Sequence, residues 1–315
     1  MSLDTVAPTP PARLAARLAA DLEAVDALIR ARMASEHAPR IPEVSAHLID
    51  AGGKRLRPML TLAAARACGY AGPFHIHLAA TVEFIHTATL LHDDVVDESA
   101  QRRGRPTANL LWDNKSSVLV GDYLFARSFQ LMVETGELRV LDILADASAT
   151  IAEGEVLQLT AARDLTTTED TYIRIVRGKT AALFSAATRV GAVIAGAAPE
   201  VEAALFAYGD ALGIAFQIAD DLREGKLTLP VIRALARADA GERDFWKRTI
   251  TRGEVGEGDV AAAQAILARH GALDSTRDSA LGWAAQARAA LGPVPAGELR
   301  DILSDLTDHV VGRLS

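Results

Sequence analysis

Apolar residues recur three, four or seven positions apart through almost the whole chain, from about residue 13 onward. That spacing places them on one face of a helix, and the Ala and Leu that dominate these stretches favour helix. The alternation of apolar and polar residues that a half-buried strand requires is rare. Examples of the helical spacing are Leu14, Leu18, Leu22 and Val25, and further on Leu205, Tyr208, Leu212 and Phe216. The sequence therefore predicts an all-α fold.

The pattern gives no sign of a second domain. Glycine and proline occur as short turn signals between helical stretches, without a flexible linker and without a long internal repeat. We expect one helical domain over residues 13–315, preceded by a proline-rich lead-in over residues 1–12.

Composition narrows the function classes. The 315 residues include 41 acids and 33 lysines and arginines, for a net charge of -8, and this balance argues against a nucleic-acid partner. The lone Cys68 cannot form an internal disulfide. The N-terminal stretch carries an early acid and three prolines rather than an apolar signal segment. We expect a cytoplasmic protein in which local cations or metal ions attract any anionic ligand.

Three aspartates within five positions end the apolar stretch TVEFIHTATLLHDDVVD. Asp93 and Asp97 are four residues apart and share a helix face, with Asp94 beside them. Unpaired carboxylates at the end of a buried helix are costly, and a hard, oxygen-seeking cation such as Mg²⁺ would relieve the repulsion. The sequence leaves one alternative open, an exposed acidic helix end paired with Arg102 and Arg103.

A second acidic segment reads FQIADDLREGKLTLP. Gln217 lies three and four residues before Asp220 and Asp221, so these side chains can share a helix face. Two basic turns, GGKRLRP at residues 52–58 and RRGR at residues 102–105, offer guanidinium groups that suit phosphate oxygens. Either basic turn alone is more often a solvated loop. Together with two facing acidic helix ends, they predict several Mg²⁺ ions around a diphosphate.

These motifs resemble those of the trans-type polyprenyl diphosphate synthases, and most of all the long-chain octaprenyl, solanesyl and decaprenyl diphosphate synthases. The similar segments, in the family's order, are GGKRLRP, EFIHTATLLHDDVVD, RRGRPTAN, VGDYLFARSF, RGKTA, FQIADD and GKLTLP. The resemblance covers nearly the whole chain. It implies a helical bundle around a deep central cavity, a homodimer, a Mg²⁺ cofactor, and the elongation of an allylic diphosphate by isopentenyl diphosphate. The implied use of the product is a quinone side chain.

The resemblance also implies metal ligands. Asp93 and Asp97 match the ligands of the first aspartate motif, with Asp94 in support. Asp220 matches the leading ligand of the second motif, and Asp221 is a weaker candidate.

Two further groups of residues match the substrate sites of the family. The positions that match the isopentenyl diphosphate site are Lys54, Arg57, His86 and Arg103. The positions that match catalytic or binding groups around the allylic diphosphate are Arg102, Lys179, Thr180, Gln217 and Lys226. From its residue type alone, His86 is as well explained as a core histidine, and the role of His92 beside the aspartates stays ambiguous.

Two small residues bear on product length. Thr89 lies one helical turn before Asp93, and Ala88 is its neighbour. In the family, a bulky aromatic residue at these positions halts elongation early, so small residues imply a long apolar tunnel and a long product. Such a product also implies transient membrane contact on release. The alternative is that both residues only pack helices together.

The second aspartate motif departs from the family pattern. Here ADD runs directly into LREGKLTLP, without a third aspartate and without the longer loop that contains glycine and lysine. A true deletion would favour a non-catalytic partner subunit of a heteromeric prenyl synthase. We favour instead a mobile loop near residues 220–222 that is absent from this sequence. A terpene cyclase is disfavoured, because it needs no GGKRLRP site for a second diphosphate.

Overall fold

The computed structural model describes residues 7–50, 52–162, 164–224 and 228–312. These residues form sixteen α-helices, so the prediction of an all-α fold is confirmed. The helices are α1 (Pro10–Arg17), α2 (Ala19–Met33), α3 (Arg40–Asp50), α4 (Leu56–Ala67), α5 (Phe74–Val96), α6 (Ala108–Leu111), α7 (Asn114–Glu134), α8 (Leu138–Ala161), α9 (Glu169–Val176), α10 (Ala182–Ile194), α11 (Pro199–Glu224), α12 (Leu229–Leu235), α13 (Ala240–Trp246), α14 (Asp259–Arg269), α15 (Ala272–Ala290) and α16 (Glu298–Val311).

Helix α1 begins at Pro10, inside the stretch that the sequence assigns to a lead-in. Proline is well tolerated in the first turn of a helix, because the N–H groups there have no partner within the helix and the fixed φ angle suits it. These prolines therefore mark the start of a helix and not an irregular lead-in.

A short hairpin follows α5. Its strands, β1 (Gln101–Arg102) and β2 (Arg105–Pro106), are antiparallel, with Arg102 opposite Arg105. The two residues between them, Arg103 and Gly104, both have positive φ angles, 53° and 74°. This is the conformation of a two-residue type I′ turn, which suits the twist of paired strands.

The chain divides into two compact units. The first consists of Met1–Asp146, Ala186–Phe206 and Pro293–Leu303, and the second of Ala147–Ser185, Ala207–Gly292 and Ser304–Ser315. The single domain and the central cavity expected from the sequence stay predictions.

Helix α5 forms the centre of the first unit. It packs against α2, α4 and α7. Its large apolar side chains are fully buried; among them are Leu78, Phe84, Ile85 and Leu91. A helix that is apolar on most of its sides is expected to lie inside a protein. The three aspartates therefore lie at the end of a largely buried central helix.

The second unit contains two apolar clusters. One is formed by α9, α11, α12, α15 and α16, and its largest buried side chains include Tyr172, Ile214, Ile218 and Leu229. The other is centred on Trp246 of α13 and packs against α12, α14 and α15. The first cluster includes Ala181 of the RGKTA motif and Ile218 of the FQIADD motif.

A π-helical segment, Arg177–Ala181, joins α9 to α10 and coincides with the RGKTA motif. It passes very close to α8: a Cβ atom on Gly178 would lie 2.9 Å from the Cα of Gly154. Only glycine at both positions permits that approach. Single-turn π segments occur often at functional sites.

Within the described ranges, one helix is long and apolar enough to cross a membrane by length and composition. It is the part of α11 from Pro199 to Leu222, with a mean hydropathy of 1.3. Because 67% of that apolar window is buried in the protein, the composition of α11 is explained by packing in the core.

Candidate active site

The first aspartate motif lies at the C-terminal end of α5. Asp93 is partly exposed and Asp97, just after the last helical residue, is exposed, whereas Asp94 has no exposed surface. The helix period explains the difference, because residues four apart share a face while neighbours differ by about 100°. The motif therefore offers two accessible carboxylates and one buried carboxylate.

Arg102 neutralises the buried carboxylate. Its Nε donates to Asp94 Oδ1 at 2.7 Å from strand β1. Burial raises the pKa of Asp94, and the hydrogen bond and charge of Arg102 oppose that rise. Asp94 Oδ2 is buried with no hydrogen-bond partner among the described residues. The arginine pairing that the sequence left open thus exists, but it involves the aspartate farthest from solvent.

The GGKRLRP turn is held in a strained conformation. Arg55 precedes α4 with a φ angle of 46°, in the left-handed region that residues other than glycine seldom adopt. Its guanidinium binds Glu83 Oε1 at 2.6 Å and Asp26 Oδ1 at 3.2 Å. Lys54 is exposed in the same turn. Strain of this kind persists where surrounding contacts enforce it, and it is common at binding sites.

Arg57 and His86 are in direct contact. Arg57 Nη1 lies 3.2 Å from His86 Nε2, and because arginine only donates, Nε2 accepts and the imidazole proton is assigned to Nδ1. Burial lowers the pKa of Arg57 to about 10. Burial and then the nearby Arg57 and Arg103 lower the pKa of His86 well below its ordinary value. Crowded, poorly hydrated positive groups would be stabilised by a bound anion.

Arg103 connects the two basic turns. Its guanidinium donates to the carbonyl oxygen of Gly52, and a Cβ atom on Gly53 would lie 3.0 Å from its Nη1. Burial lowers the pKa of Arg103. The structure thus brings together Arg57, His86 and Arg103, three of the four residues predicted to bind isopentenyl diphosphate, and places Lys54 in the adjoining turn.

The residues next to the first motif differ in their exposure and contacts. Ala88 is fully buried, and Thr89 is partly exposed, with its hydroxyl donating to the His86 carbonyl at 2.8 Å. His92 faces α7: its Nε2 lies 3.1 Å from the Val118 carbonyl oxygen. A Cβ atom on Gly121 would collide with that ring at 2.2 Å. His92 is therefore a packing residue between α5 and α7.

In the second unit, the π segment presents Lys179 and Thr180. Lys179 Nζ forms an ion pair with Glu155 Oε2 at 2.9 Å. Thr180 Oγ1 donates to Gln217 Oε1 at 2.7 Å, so the RGKTA and FQIADD motifs are in contact. The sequence predicted Lys179, Thr180 and Gln217 as site residues and missed Glu155.

Asp221 is buried among protein donors. Gln217 Nε2 donates to its Oδ1 at 2.8 Å, while Tyr172 Oη and Thr228 Oγ1 donate to its Oδ2 at 2.8 and 3.1 Å. Asp220, by contrast, is partly exposed. Sequence reasoning missed Tyr172 and Thr228, since neither belongs to a charged pattern. The remaining predicted residue, Lys226, lies outside the described residues.

The metal predictions rest on donor chemistry. Among the described residues, no three His, Cys, Asp or Glu side chains form a cluster that could hold a metal ion by themselves. Mg²⁺ usually takes one or two carboxylates together with waters and phosphate oxygens. Asp93, Asp97 and Asp220 are at least partly exposed and fit this chemistry, whereas Asp94 and Asp221 are buried. All five metal-ligand roles stay predictions.

The chain belongs to the polyprenyl synthetase family, whose model matches residues 38–223. The match ends beside the shortened second aspartate motif. Along the sequence, the chain is 40% identical to the octaprenyl diphosphate synthase of Escherichia coli K12, over 94% of this chain and 96% of that protein. It is 41% identical to a geranyl-diphosphate-specific all-trans-nonaprenyl-diphosphate synthase of Rhodobacter capsulatus, over 95% of this chain and 97% of that protein.

Solved structures agree with this assignment. The crystal structure of a decaprenyl diphosphate synthase from Rhodobacter capsulatus superimposes with a TM-score of 0.95 and 66% identity, over 97% of this chain and all of that chain. A polyprenyl synthase from Caulobacter crescentus CB15, in complex with calcium and isoprenyl diphosphate, has a TM-score of 0.90 and 48% identity, over 97% of this chain and 98% of that chain. The predicted family is confirmed.

Proposed function

We propose that this chain is a long-chain trans-polyprenyl diphosphate synthase that condenses isopentenyl diphosphate with an allylic diphosphate. One observation carries the proposal: the first unit holds partly exposed aspartates and, separately, the cationic group of Arg57 and Arg103 with the neutral His86. A reaction that joins two diphosphates needs two places for anions, whereas a cyclase of one diphosphate does not. The similarity to octaprenyl and decaprenyl diphosphate synthases supports a long product.

The proposed reaction breaks the allylic carbon–oxygen bond, and pyrophosphate leaves with the bonding electron pair. The double bond of isopentenyl diphosphate attacks the resulting carbocation and forms the new carbon–carbon bond. Loss of one proton, with the released pyrophosphate as its acceptor, restores a double bond. Mg²⁺, when bound, would stabilise the negative charge of the leaving group. Asp93, Asp97 and Asp220 are the residues that would hold it.

The cationic group would hold the acceptor substrate. Arg57 and Arg103 supply donors for phosphate oxygens, and neutral His86 keeps an N–H donor on Nδ1 while its Nε2 accepts from Arg57. Fixing the acceptor in this way replaces a bimolecular encounter by a positioned one, which lowers the entropic part of the barrier. Lys179, Thr180 and Gln217 would act on the allylic substrate, together with Arg102 and Lys226.

The proposed enzyme is a homodimer. Helix α7 exposes Leu119, Phe129 and Val133, at 66%, 45% and 64% of their surfaces, and the helix period places them on one side. Exposed large apolar side chains that share a face are typical of association surfaces. Light scattering on the purified protein tests the dimer. We further propose a cytoplasmic protein that touches a membrane only transiently, to release a product destined for a quinone side chain.

Product analysis tests the activity. Purified protein is incubated with farnesyl diphosphate, labelled isopentenyl diphosphate and Mg²⁺, and the products are separated by chain length. We expect long polyprenyl diphosphates and no product once a chelator removes Mg²⁺. Absence of product under all conditions would instead favour a non-catalytic partner subunit, a reading that the similar proteins do not support.

Ala88→Phe tests the product length. A phenyl ring at this fully buried position would narrow the space beyond Thr89 and so shorten the main product. Thermal unfolding of the variant separates this effect from overpacking, which costs about 1–3 kcal/mol. An unchanged ladder of products from a folded variant would assign Ala88 to helix packing alone.

A further inference from the structure

Tyr172 is a buried polar side chain that the proposed mechanism does not use. It lies on α9, and only 5% of its surface is exposed. Its hydroxyl donates to Asp221 Oδ2 at 2.8 Å, across 49 positions of sequence. Burial, and then the charge of Asp221, raise the pKa of Tyr172, so the phenol keeps its proton and remains a donor.

A continuous row of hydrogen bonds leads from this hydroxyl to the RGKTA motif. Asp221 Oδ1 accepts from Gln217 Nε2 at 2.8 Å, and Gln217 Oε1 accepts from Thr180 Oγ1 at 2.7 Å. All four residues belong to the second unit. The row therefore joins α9, α11 and the π segment.

The direction of each bond follows from the chemistry of the groups. Asp221 accepts every hydrogen bond that the structure gives it, as a carboxylate does. Gln217 must then turn its amide nitrogen toward Asp221 and its carbonyl oxygen toward Thr180. Thr180 in turn commits its only proton to that carbonyl oxygen. Its remaining capacity is two lone pairs, so it can only accept.

We propose that Tyr172 is a positioning residue for prenyl transfer: through Asp221 it fixes the amide of Gln217, so that Thr180 offers its oxygen lone pairs to the allylic carbon, which becomes positively charged as pyrophosphate leaves. This inference rests on the proposed function. It assigns Asp221 to the orientation of Gln217 rather than to a metal ion. Without the Tyr172 hydroxyl, Asp221 would keep only Thr228 on that oxygen, and the carboxylate that holds the amide of Gln217 would be less firmly placed.

A double-mutant cycle tests the inference. Tyr172→Phe, Asp221→Asn and the double variant are assayed with farnesyl diphosphate and labelled isopentenyl diphosphate at saturating Mg²⁺. Tyr172→Phe should lower kcat about 10- to 100-fold, as expected for a misplaced reacting group, with KM values close to those of the wild type. Because Tyr172 acts through Asp221, the double variant should be no slower than the slower single variant.

Two measurements distinguish positioning from a general loss of structure. Binding of farnesyl thiodiphosphate, an unreactive allylic analogue, is measured by calorimetry and should change less than about threefold, since the ground-state contacts remain. Tyr208→Phe, which removes another fully buried phenol hydroxyl from α11, serves as the matched control and should keep kcat within about twofold.

The possible outcomes separate the two proposals. A wild-type protein that forms no polyprenyl product overturns the proposed function and this inference with it. An active wild type with an unimpaired Tyr172→Phe variant overturns the inference alone. So does a double variant whose losses multiply, because Tyr172 and Asp221 would then act independently. A Tyr172→Phe variant that loses analogue binding and kcat together assigns Tyr172 to general structure.

Discussion

Two pairs of aspartates that are neighbours in sequence are stabilised in different ways. One pair lies at the end of α5 and the other in α11. In each pair one member is buried: Asp94 has no exposed surface and Asp221 has 5%. Asp94 is balanced by the charge of Arg102, whereas Asp221 accepts hydrogen bonds from neutral hydroxyl and amide groups. The accessible members, Asp93 and Asp220, are both partly exposed.

The comparison shows that the same sequence pattern, two neighbouring aspartates, can be stabilised in two electrostatically different ways. A buried carboxylate next to a guanidinium depends on one strong partner, and loss of that partner leaves an unpaired charge. A buried carboxylate with several neutral donors loses only one hydrogen bond at a time. In both pairs one aspartate is buried and accepts hydrogen bonds from the protein, while its neighbour is partly exposed.

Removing an accessible aspartate should have the largest effect on activity. Asp93→Asn keeps the size of the side chain but removes a charge that would hold Mg²⁺ near the leaving group. We expect kcat to fall on the order of 10²–10³-fold, as for other groups that stabilise developing charge. The free energy of unfolding should change by less than about 1 kcal/mol. Incorporation of labelled isopentenyl diphosphate and denaturant unfolding measure the two effects.

Asp220→Asn provides the same test in the second unit. If the two pairs are alike in their accessible members, the two variants should lose activity to a similar extent. Activity of Asp93→Asn within tenfold of the wild type would contradict its predicted role in metal binding.

Removing the charged partner should have the largest effect on stability. Arg102→Met leaves the buried Asp94 carboxylate without its cation, and we expect the free energy of unfolding to fall by about 3 kcal/mol. Denaturant unfolding without substrate measures it. Arg105→Met is the matched control, because Arg105 is exposed and lies opposite Arg102 in the hairpin. Equal stability of the two variants would show that Asp94 needs no partner.

Removing a neutral donor should cost less. Thr228→Val deletes one hydroxyl at nearly constant volume, and Asp221 keeps its bonds to Tyr172 and Gln217. We expect a loss of about 1 kcal/mol in the free energy of unfolding. Thr160→Val, whose hydroxyl bonds within its own helix at an exposed position, should have a smaller effect. A loss equal to that of Arg102→Met would mean that one neutral donor stabilises Asp221 as much as the charged arginine stabilises Asp94.

The sequence was sufficient for the fold class and for the accessible half of each pair. Helical spacing predicted the helices, and the four-residue separation placed Asp93 and Asp97 on one face. The family resemblance also assigned Arg57 and His86 to one predicted site, and the structure shows these two residues in contact. Each of these features follows either from the spacing of residues close together in the sequence or from motifs long enough to indicate the family.

The hydroxyl groups that anchor Asp221 could not be predicted in the same way. Tyr172 meets Asp221 only because α9 packs beside α11, and no local pattern encodes a hydrogen bond across 49 positions. The π segment escaped prediction too, because it requires the close approach of Gly154 and Gly178 from separate helices. Glu83 is different: it lies three residues before His86 on α5, and this spacing could have indicated a counter-ion for the basic turn.

The last prediction concerns the effect of pH on the free energy of unfolding, through the titration of His86. Burial and then Arg57 and Arg103 lower the pKa of His86 in the folded protein, while the unfolded chain has an ordinary value of about 6.5. Below that pH the unfolded chain binds a proton that the folded protein does not bind. The free energy of unfolding should therefore decrease on acidification from about pH 6.5 until His86 titrates in the folded state.

His86→Gln should flatten this dependence, whereas His37→Gln, at an exposed position, should preserve it. Denaturant unfolding between about pH 8 and pH 5.5 measures both slopes, a range chosen to span the ordinary titration of histidine. Parallel curves for the wild type and His86→Gln would mean that the arginines around His86 do not keep it neutral. The positive charges around His86 would then be better hydrated than their contacts indicate.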